Sequence, residues 1–387
     1  MTTTQVRTAL DAARALAPEI TARAAEGEVA RTMPPDLVGK VEAGGLFGLG
    51  SPRVLGGLEL DPVSQMEVIE ELSRADGSAG WTVMIGNSSA FLAWLDPGVA
   101  REMIGVDTGG AVSGVLAPLG RAVAGGDGYA LDGRWPFASG CRHATWTLTG
   151  AFVMDGPAPR MVPGRGPDWR LAVLPAADVE IHDTWDSLGL RGTGSHDVSV
   201  HCRIPAEHLA DPFHDLASHD GPLWRIPFFT QLAFRHTGFV LGVARRALDE
   251  FTRLAATKRR GPAPNPVADS GDAQLAVARA EGALQAARAF AVDAFGALWG
   301  AACRGDVPDL NQRATVLLAA LNAERAAVAA VDAVFPYAGA SGVYSSNPLQ
   351  RCFRDLHTGG QHIYVGADAW KRYAKLKLGI DGPTFQI

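Results

Sequence analysis

The chain has 387 residues and a net charge of −6, with 47% apolar and 20% charged residues, which is typical of a folded globular protein. No basic stripe is present, so we expect no nucleic-acid binding, and no apolar run of about 18 residues predicts a membrane span. The four cysteines lie far apart with no CxxC pair, and no signal peptide is evident; both features predict a cytoplasmic protein with reduced thiols.

Residues 1–110 have the pattern of a helical domain. Apolar residues recur at three- and four-residue spacing, for example in residues 64–73. The pair Pro34 and Pro35 marks a place where a helix can begin, since proline is favoured in the first turn. The sequence therefore predicts an N-terminal domain built from helices.

Residues 111–215 change in character, because glycine and proline become frequent and the helical spacing fades. Residues 129–131, 145–149 and 171–174 are typical of short strands. The glycine-rich residues 125–128 indicate a turn between two of the strands. We predict a small antiparallel β domain in the middle of the chain.

Residues 216–387 become helical again. One apolar stripe runs through residues 241–255, and further helices are predicted over residues 272–302, 311–337 and 348–376. Long helices of this kind pack side by side, so the third domain is expected to be a four-helix bundle.

Several common catalytic motifs are absent from the sequence. Gly192 and Gly194 lack the strand and helix context of a dinucleotide site, and neither a Walker motif nor a GxSxG motif occurs. His357 and His362 are five residues apart in a predicted helix, which places them on different faces, so no metal site is predicted. An organic cofactor is the expected reactive centre.

Residues 71–81, 132–144, 183–195 and 349–362 together resemble the acyl-CoA dehydrogenase fold. They are closer to its oxygen-activating branch, the two-component flavin-dependent monooxygenases, which hydroxylate aromatic compounds or oxygenate amines. The resemblance implies an α+β, mainly α protein with an N-terminal helical domain, a middle antiparallel β domain and a C-terminal four-helix bundle. It also implies a flavin between the β domain and the bundle, and a homotetramer in which a neighbouring subunit helps to hold the cofactor.

The resemblance assigns cofactor contacts to two stretches. Ser139 is expected near flavin N5, with Phe137 and Ala138 along the ring and Trp135 in the same stretch; an ordinary strand with core aromatics is the alternative. The second stretch is expected to form a tight turn that also helps to form the cofactor wall, through Trp185, Arg191, Gly192, Thr193 and Ser195. Arg191 can pair with a carboxylate or with a flavin phosphate, and Arg260 is expected at the phosphate of a neighbouring subunit or at a helix dipole.

His362 is the residue most strongly assigned to chemistry. Acyl-CoA dehydrogenases need a carboxylate base, and many place a glutamate shortly after an Arg-Asp pair similar to Arg354-Asp355. Here Ile363 falls about where that glutamate belongs, with His362 beside it. A histidine there can deprotonate a phenol or hydrogen-bond a flavin peroxide; the alternative is a core histidine.

Three residues of the first domain complete the predicted site. Asn87 is expected to orient substrate or peroxide, Ser88 to line the substrate pocket, and Trp81 to wall that pocket or fill the core. Exposed polar positions on a helix are the alternative for Asn87 and Ser88.

The resemblance implies a mechanism and its partners. A separate NAD(P)H-flavin reductase supplies reduced flavin, FMNH2 in preference to FADH2. O2 then adds to give a C4a-hydroperoxyflavin that hydroxylates an aromatic or polyketide-like small molecule. The alternatives are amine N-hydroxylation, an acyl-CoA dehydrogenase with FAD and an atypical base, and a catalytically inactive oligomeric relative.

Overall fold

The computed structural model describes residues 3–104, 110–259, 261, 264–382, 384, 386 and 387. Within these ranges the order of elements is five α-helices, ten strands and five further α-helices. The predicted fold class, with a β domain between two helical domains, is confirmed.

The first helical domain begins with helices whose starts are marked in the sequence. The helix predicted at the paired prolines begins at Pro35, and the helix predicted over residues 64–73 begins after Asp61, whose carboxylate accepts a hydrogen bond from the Ser64 N–H at 3.0 Å. The bounds are α1 (Thr3–Ala30), α2 (Pro35–Ala43), α3 (Pro62–Ala75), α4 (Gly77–Gly86) and α5 (Pro97–Ile104).

The middle domain is an eight-stranded sheet with a separate two-stranded ribbon. The turn predicted at residues 125–128 joins the first two strands, which pair in antiparallel fashion. The strands are β1 (Val112–Gly125), β2 (Gly128–Ala138), β3 (Trp146–Asp155), β4 (Ala158–Pro159), β5 (Met161–Val162), β6 (Gly166–Pro167), β7 (Trp169–Pro175), β8 (Val179–His182), β9 (His196–Pro205) and β10 (Leu209–Ala210).

The strand order is β10-β7-β3-β1-β2-β9-β8, with β4 beside β3, and it departs from the predicted antiparallel sheet at one pair. β1 and β3 are parallel, with Val112 opposite Trp146. Because β2 returns to the end of the sheet where β1 begins, the short connection of residues 139–145 starts β3 in the direction of β1. That connection carries Ser139, the residue predicted to contact the flavin.

The interior of the β domain forms its own apolar cluster around Trp135. The Trp135 ring lies against Gly120, where a Cβ atom would be 2.2 Å from Trp135 Cζ2, so this packing requires glycine. The indole N–H donates to the Gly150 carbonyl at 2.8 Å. Trp135 is therefore a satisfied core residue of the sheet.

The C-terminal domain consists of α6 (Phe228–Thr257), α7 (Gly271–Cys303), α8 (Leu310–Ala338), α9 (Pro348–Gly359) and α10 (Ala367–Lys377). The single helix predicted over residues 348–376 is wrong, because the chain leaves the helix at Gly359 and Gly360, two poor helix formers, and resumes it at Ala367. His362 lies in this break and therefore not on a helix with His357.

The helices of the first and third domains share one apolar core, in which α6 packs against α3, α8 and α9. The segment Leu310–Val343, which includes α8, is apolar enough by length and composition to cross a membrane, but 67% of its most apolar window is buried in the protein. This is the behaviour of the central helix of a soluble enzyme fold.

Candidate active site

Three buried hydroxyl groups form a directed chain at the edge of the β domain. Ser139 Oγ lies 2.7 Å from Ser195 Oγ, which lies 2.6 Å from Thr193 Oγ1, and Thr193 donates to the Leu190 carbonyl at 2.7 Å. A carbonyl only accepts and each hydroxyl has one proton, so every proton in the chain is directed toward Leu190. Ser139 therefore donates to Ser195.

Trp81 connects this chain to the helical domains. Its indole N–H donates to Ser139 Oγ at 3.1 Å, and its ring meets Phe239 and His362 edge to face at centroid distances of 4.9 and 5.6 Å. The position of Trp81 is set by α4, which starts at a cap where the Asp76 carboxylate accepts the Ala79 N–H at 3.0 Å. Ser139 and His362 thus both contact Trp81.

His362 is a neutral hydrogen-bond donor in this arrangement. Burial lowers the pKa of His362 to about 3, with the neighbouring His236 as a second cause. Its Nδ1 accepts the Tyr364 backbone N–H at 3.3 Å, so the proton of the neutral ring is on Nε2. A base at Nε2 would require the opposite tautomer.

The stretch predicted to line the flavin ring contains three side chains with different surroundings. Phe137, at φ +68°, is 67% exposed and contacts the Trp185 ring edge to face at 6.3 Å. Ala138 and Trp135 are instead buried in the apolar interior of the β domain. The structure therefore leaves Phe137 available to a flavin ring and withdraws the Trp135 side chain from it.

The glycine-rich stretch is a turn whose polar groups are largely used within the chain. Trp185 Nε1 donates to the Leu190 carbonyl at 3.1 Å, and the Gly192 N–H donates to Ser78 Oγ at 3.2 Å. The Arg191 guanidinium pairs with the Asp186 carboxylate at 2.8 Å, which is the carboxylate alternative among the two predicted for it. The close approach at Gly192 is thus to α4.

Sequence reasoning did not assign a role to the pair that holds this turn against α9. Asp355 Oδ1 accepts the Leu190 N–H at 2.6 Å, and Arg354 donates to the Leu188 carbonyl at 2.6 Å. Arg354 also pairs with Glu28 of α1. The sequence feature that could have indicated this role is the Arg354-Asp355 pair in residues 349–362. In the structure the pair connects α9 to the turn and to α1.

Asp355 is an ionisable group in an unfavourable environment for its charge. Burial first, and the Asp76 carboxylate second, raise the pKa of Asp355 to about 7. Burial likewise raises the pKa of Asp76. Ionising both buried carboxyl groups carries a large electrostatic free-energy cost, so this part of the protein retains a proton near neutral pH.

Asn87 is used inside the fold. Its amide oxygen accepts the Leu49 N–H at 2.7 Å, and its amide nitrogen donates to the Leu46 and Val83 carbonyls, each at 2.8 Å. This leaves no donor for a substrate, which corrects the predicted catalytic role. Ser88 is half-buried at the start of the 3-10 helix Ser88–Trp94.

Arg260, the predicted phosphate contact, lies outside the described residues. Among the part of the chain that the structure describes, no group of three histidine, cysteine or acidic side chains could hold a metal ion.

The residues around Ser139 fit a flavin. Ser139 Oγ donates one hydrogen bond and accepts one, which leaves one acceptor position for a ring N–H. Phe137 presents an uncovered aromatic face two residues away. A buried hydroxyl with one open position beside an outward aromatic residue is suited to an aromatic, hydrogen-bonding ring. The fold and the residues around Ser139 thus point to a flavoenzyme of the acyl-CoA dehydrogenase fold.

Two family models match the chain, the acyl-CoA dehydrogenase N-terminal domain over residues 3–96 and the C-terminal domain over residues 235–366. The chain is 33% identical to an indole-3-acetate monooxygenase of Pseudomonas putida, over 92% of this chain and 90% of the relative. It is 28% identical to the flavin-dependent monooxygenase oxygenase subunit HsaA of Mycobacterium tuberculosis, over 90% of this chain and 89% of the relative.

The solved structure of XiaF from Streptomyces sp. in complex with FADH2 and glycerol superposes with a TM-score of 0.88 at 26% identity, covering 97% of this chain and 96% of that one. The chain belongs to the flavin-dependent monooxygenases of the acyl-CoA dehydrogenase fold. It is therefore an oxidoreductase that uses reduced flavin and O2.

Proposed function

We propose that this protein is the oxygenase component of a two-component system that hydroxylates a planar aromatic small molecule. The observation that carries the proposal is the continuous contact of Ser139, Trp81 and His362. A separate reductase delivers the reduced flavin, as the oxygenase-subunit name of the HsaA relative supports. Bound reduced flavin supplies the electrons that activate O2 for insertion into the substrate.

Ser139 selects the reduced form of the cofactor. Its own proton is committed to Ser195, so its open position can accept a hydrogen bond but not donate one. Reduced flavin carries an N–H at N5, whereas oxidised flavin has an acceptor there. Reduced flavin therefore makes the hydrogen bond that oxidised flavin cannot make without reversing the hydroxyl chain.

His362 orients an oxygen atom in the pocket by donating its Nε2 proton. Because the pKa of His362 is held at about 3, the ring stays neutral at physiological pH and is a poor base. Of the two roles predicted for this residue, the structure favours the hydrogen-bond donor. The position next to it is occupied by Ile363, 72% exposed, so the glutamate of the dehydrogenases has no counterpart there.

The pocket wall favours an aromatic substrate. Trp81 meets both His362 and Phe239 edge to face, and the Tyr364 backbone N–H bonds to His362, so aromatic residues cluster next to this histidine. The name of the Pseudomonas putida relative supports an indole- or phenol-sized acid as the first compound to test.

We also propose a cytoplasmic homotetramer. Phe137, which is predicted at the flavin, and Ile363, which follows His362, are both largely exposed, and a neighbouring subunit would cover them. Light scattering of the purified protein checks this, and a monomer with full activity would contradict it.

The decisive experiment titrates the purified protein anaerobically with FMNH2 and FADH2, then mixes the complex with ¹⁸O2 and indole-3-acetate. We expect tighter binding of reduced than of oxidised flavin, and one labelled oxygen atom in the product. Ser139→Ala should weaken binding of the reduced flavin by about tenfold, since it removes one hydrogen bond to the ring.

Thr184→Ala is the matched control, because its hydroxyl bonds to Asp197 on the exposed side of the same turn region. A protein that retains FAD through purification, is bleached by an acyl-CoA and yields no labelled product would show that the dehydrogenase assignment is correct instead.

A further inference from the structure

A buried histidine–carboxylate pair lies next to the candidate site and has no role in the function proposed above. His236 of α6 and Glu324 of α8 meet with Nε2 and Oε2 3.0 Å apart, and their side chains are only 3% and 10% exposed. The two residues are 88 positions apart in the chain. Folding therefore brings together, in the interior of the bundle, two ionisable groups from distant parts of the chain.

The pair is not arranged for stability. His236 Nδ1 and Glu324 Oε1 are both buried without a hydrogen-bond partner among the described residues. Each such atom carries the penalty of lost hydration, and buried ion pairs contribute little net stability even when fully bonded. The two open atoms lie at opposite ends of the pair, where a proton could enter and leave.

The inner end contacts the active site. The His236 ring lies 6.1 Å from the His362 ring at an interplanar angle of 25°, 6.2 Å from Trp81 and 6.3 Å from Tyr364. His362 Nδ1 is already bonded to the Tyr364 backbone N–H. His236 Nδ1, which has no such bond among the described residues, is therefore the candidate for passing a proton to this site.

The outer end lies beside a solvent-filled groove. Glu324 lines a groove of about 420 Å³ between α8, α9 and the start of α10. Gly360 separates the carboxylate from the end of α9, and a Cβ atom at that position would lie 2.7 Å from Glu324 Oε1. Gly360 has an ordinary φ of −65°, so glycine is needed here for space rather than for backbone conformation.

We propose that Glu324 and His236 form a proton relay between the outer groove and the active site. The inference rests on the proposed function, whose chemistry consumes a proton. Anionic reduced flavin, O2, an aromatic C–H and one proton give oxidised flavin, the hydroxylated product and water. The N–H bond at His236 Nδ1 breaks as its proton passes inward, while a new N–H bond forms at Nε2 with the proton of the Glu324 carboxyl group. The carboxylate then regains a proton from groove water.

Titratable and charged groups lie on both sides of the relay. On the inner side these are His362 and Tyr364, from the segment after α9. On the groove side they are Arg325 and Asp332 of α8 and His357 of α9. His357 and Asp332 form a second histidine–carboxylate pair at 2.9 Å, but with side chains 33% and 46% exposed.

The test follows proton uptake with a pH indicator while the enzyme–FMNH2 complex reacts with O2 in the absence of substrate. In that reaction anionic reduced flavin, O2 and one proton give flavin and H2O2, so no substrate is needed. Glu324→Gln and His236→Gln should each slow proton uptake by about tenfold or more and flatten the pH profile of the rate. The double variant should be no slower than either single variant, because one relay is already broken.

Asp332→Asn is the matched control, since it removes the exposed carboxylate of the second pair in the same groove. It should leave the rate of proton uptake within about twofold of the wild-type rate at each pH. Gly360→Ala is an independent variant that retains both ionisable groups and displaces Glu324 Oε1; it should slow proton uptake as Glu324→Gln does.

Glu324→Gln and Gly360→Ala proteins that take up protons at the wild-type rate would overturn the relay, as would losses that multiply in the double variant. Melting temperature and FMNH2 affinity, measured in each variant, separate a relay from a packing defect, because only the latter lowers both. A wild type that takes up protons but yields no hydroxylated product would refute the proposed function and not the relay.

Discussion

The interior of the β domain and the layer where that domain meets the helices use polar groups in different ways. In the interior, the one polar atom of Trp135 is satisfied by Gly150 and its neighbours are apolar. In the layer, buried Asp76 and Asp355 share a site with raised pKa values. The first arrangement stabilises the fold, whereas the second holds charge and protons in place at the expense of stability, as functional sites commonly do.

The largest expected effect is a loss of stability caused by a substitution in the interior of the β domain. Trp135→Ala should lower the free energy of unfolding by about 3–5 kcal/mol, because it leaves a large cavity and an unpaired Gly150 carbonyl. Chemical denaturation followed by circular dichroism measures the change.

Phe137→Ala is the internal control, two residues away on the same strand and largely exposed. It should change stability by no more than about 0.5 kcal/mol but weaken flavin binding. Equal destabilisation by both variants would show that the two regions do not differ as described.

Asp355→Asn tests the layer through its pH dependence. The folded protein holds a proton on Asp355 up to about pH 7, whereas the carboxyl group of the unfolded chain, with an ordinary pKa of 3.8, releases it earlier. Stability from this group is therefore fully present at low pH and is lost as the pH rises from about 4 to about 7. The variant keeps the acceptor for the Leu190 N–H and should lose that decline in a series of thermal melts.

The wild-type slope should survive in Asp186→Asn, whose carboxylate is on the surface of the same turn. An unchanged slope in Asp355→Asn would mean that another group holds the proton.

His362→Asn should also change the pH dependence of stability, with the opposite sign. Because burial holds the pKa of His362 at about 3 against 6.5 in the unfolded chain, the unfolded state takes up a proton first. Stability from the neutral ring is thus lost as the pH falls from about 6.5 to about 3. The variant should be less sensitive to acid than the wild type in unfolding experiments at pH 4 to 6, and a variant with unchanged acid sensitivity would contradict the assignment.

Much of the fold could be predicted from local patterns. The change from helical spacing to glycine-rich strands marked the β domain, and residues 125–128 marked its hairpin. The break after Gly359 escaped because helical periodicity continues on either side of it. The parallel pair of β1 and β3 depends on which edge a strand joins, and no single segment carries that information.

Site residues could be predicted only within or next to the four stretches that resemble the family. Ser139, Trp81 and His362 were each predicted at the site, and Ser139 and His362 both contact Trp81. The roles of His236 and Glu324 come from a contact between positions far apart in the chain, where neither residue has a motif around it. Such contacts follow from how α6 packs on α8, which sequence spacing alone does not specify.

The loop between α9 and α10 has an evolutionary consequence. It supplies His362 while standing outside the regular turns of both flanking helices. Insertions and substitutions there can reshape the catalytic cleft without disturbing the register of the helices that form the scaffold. Descendants of one ancestor could thus acquire new substrate specificities through substitutions in about seven residues between two unchanged helices.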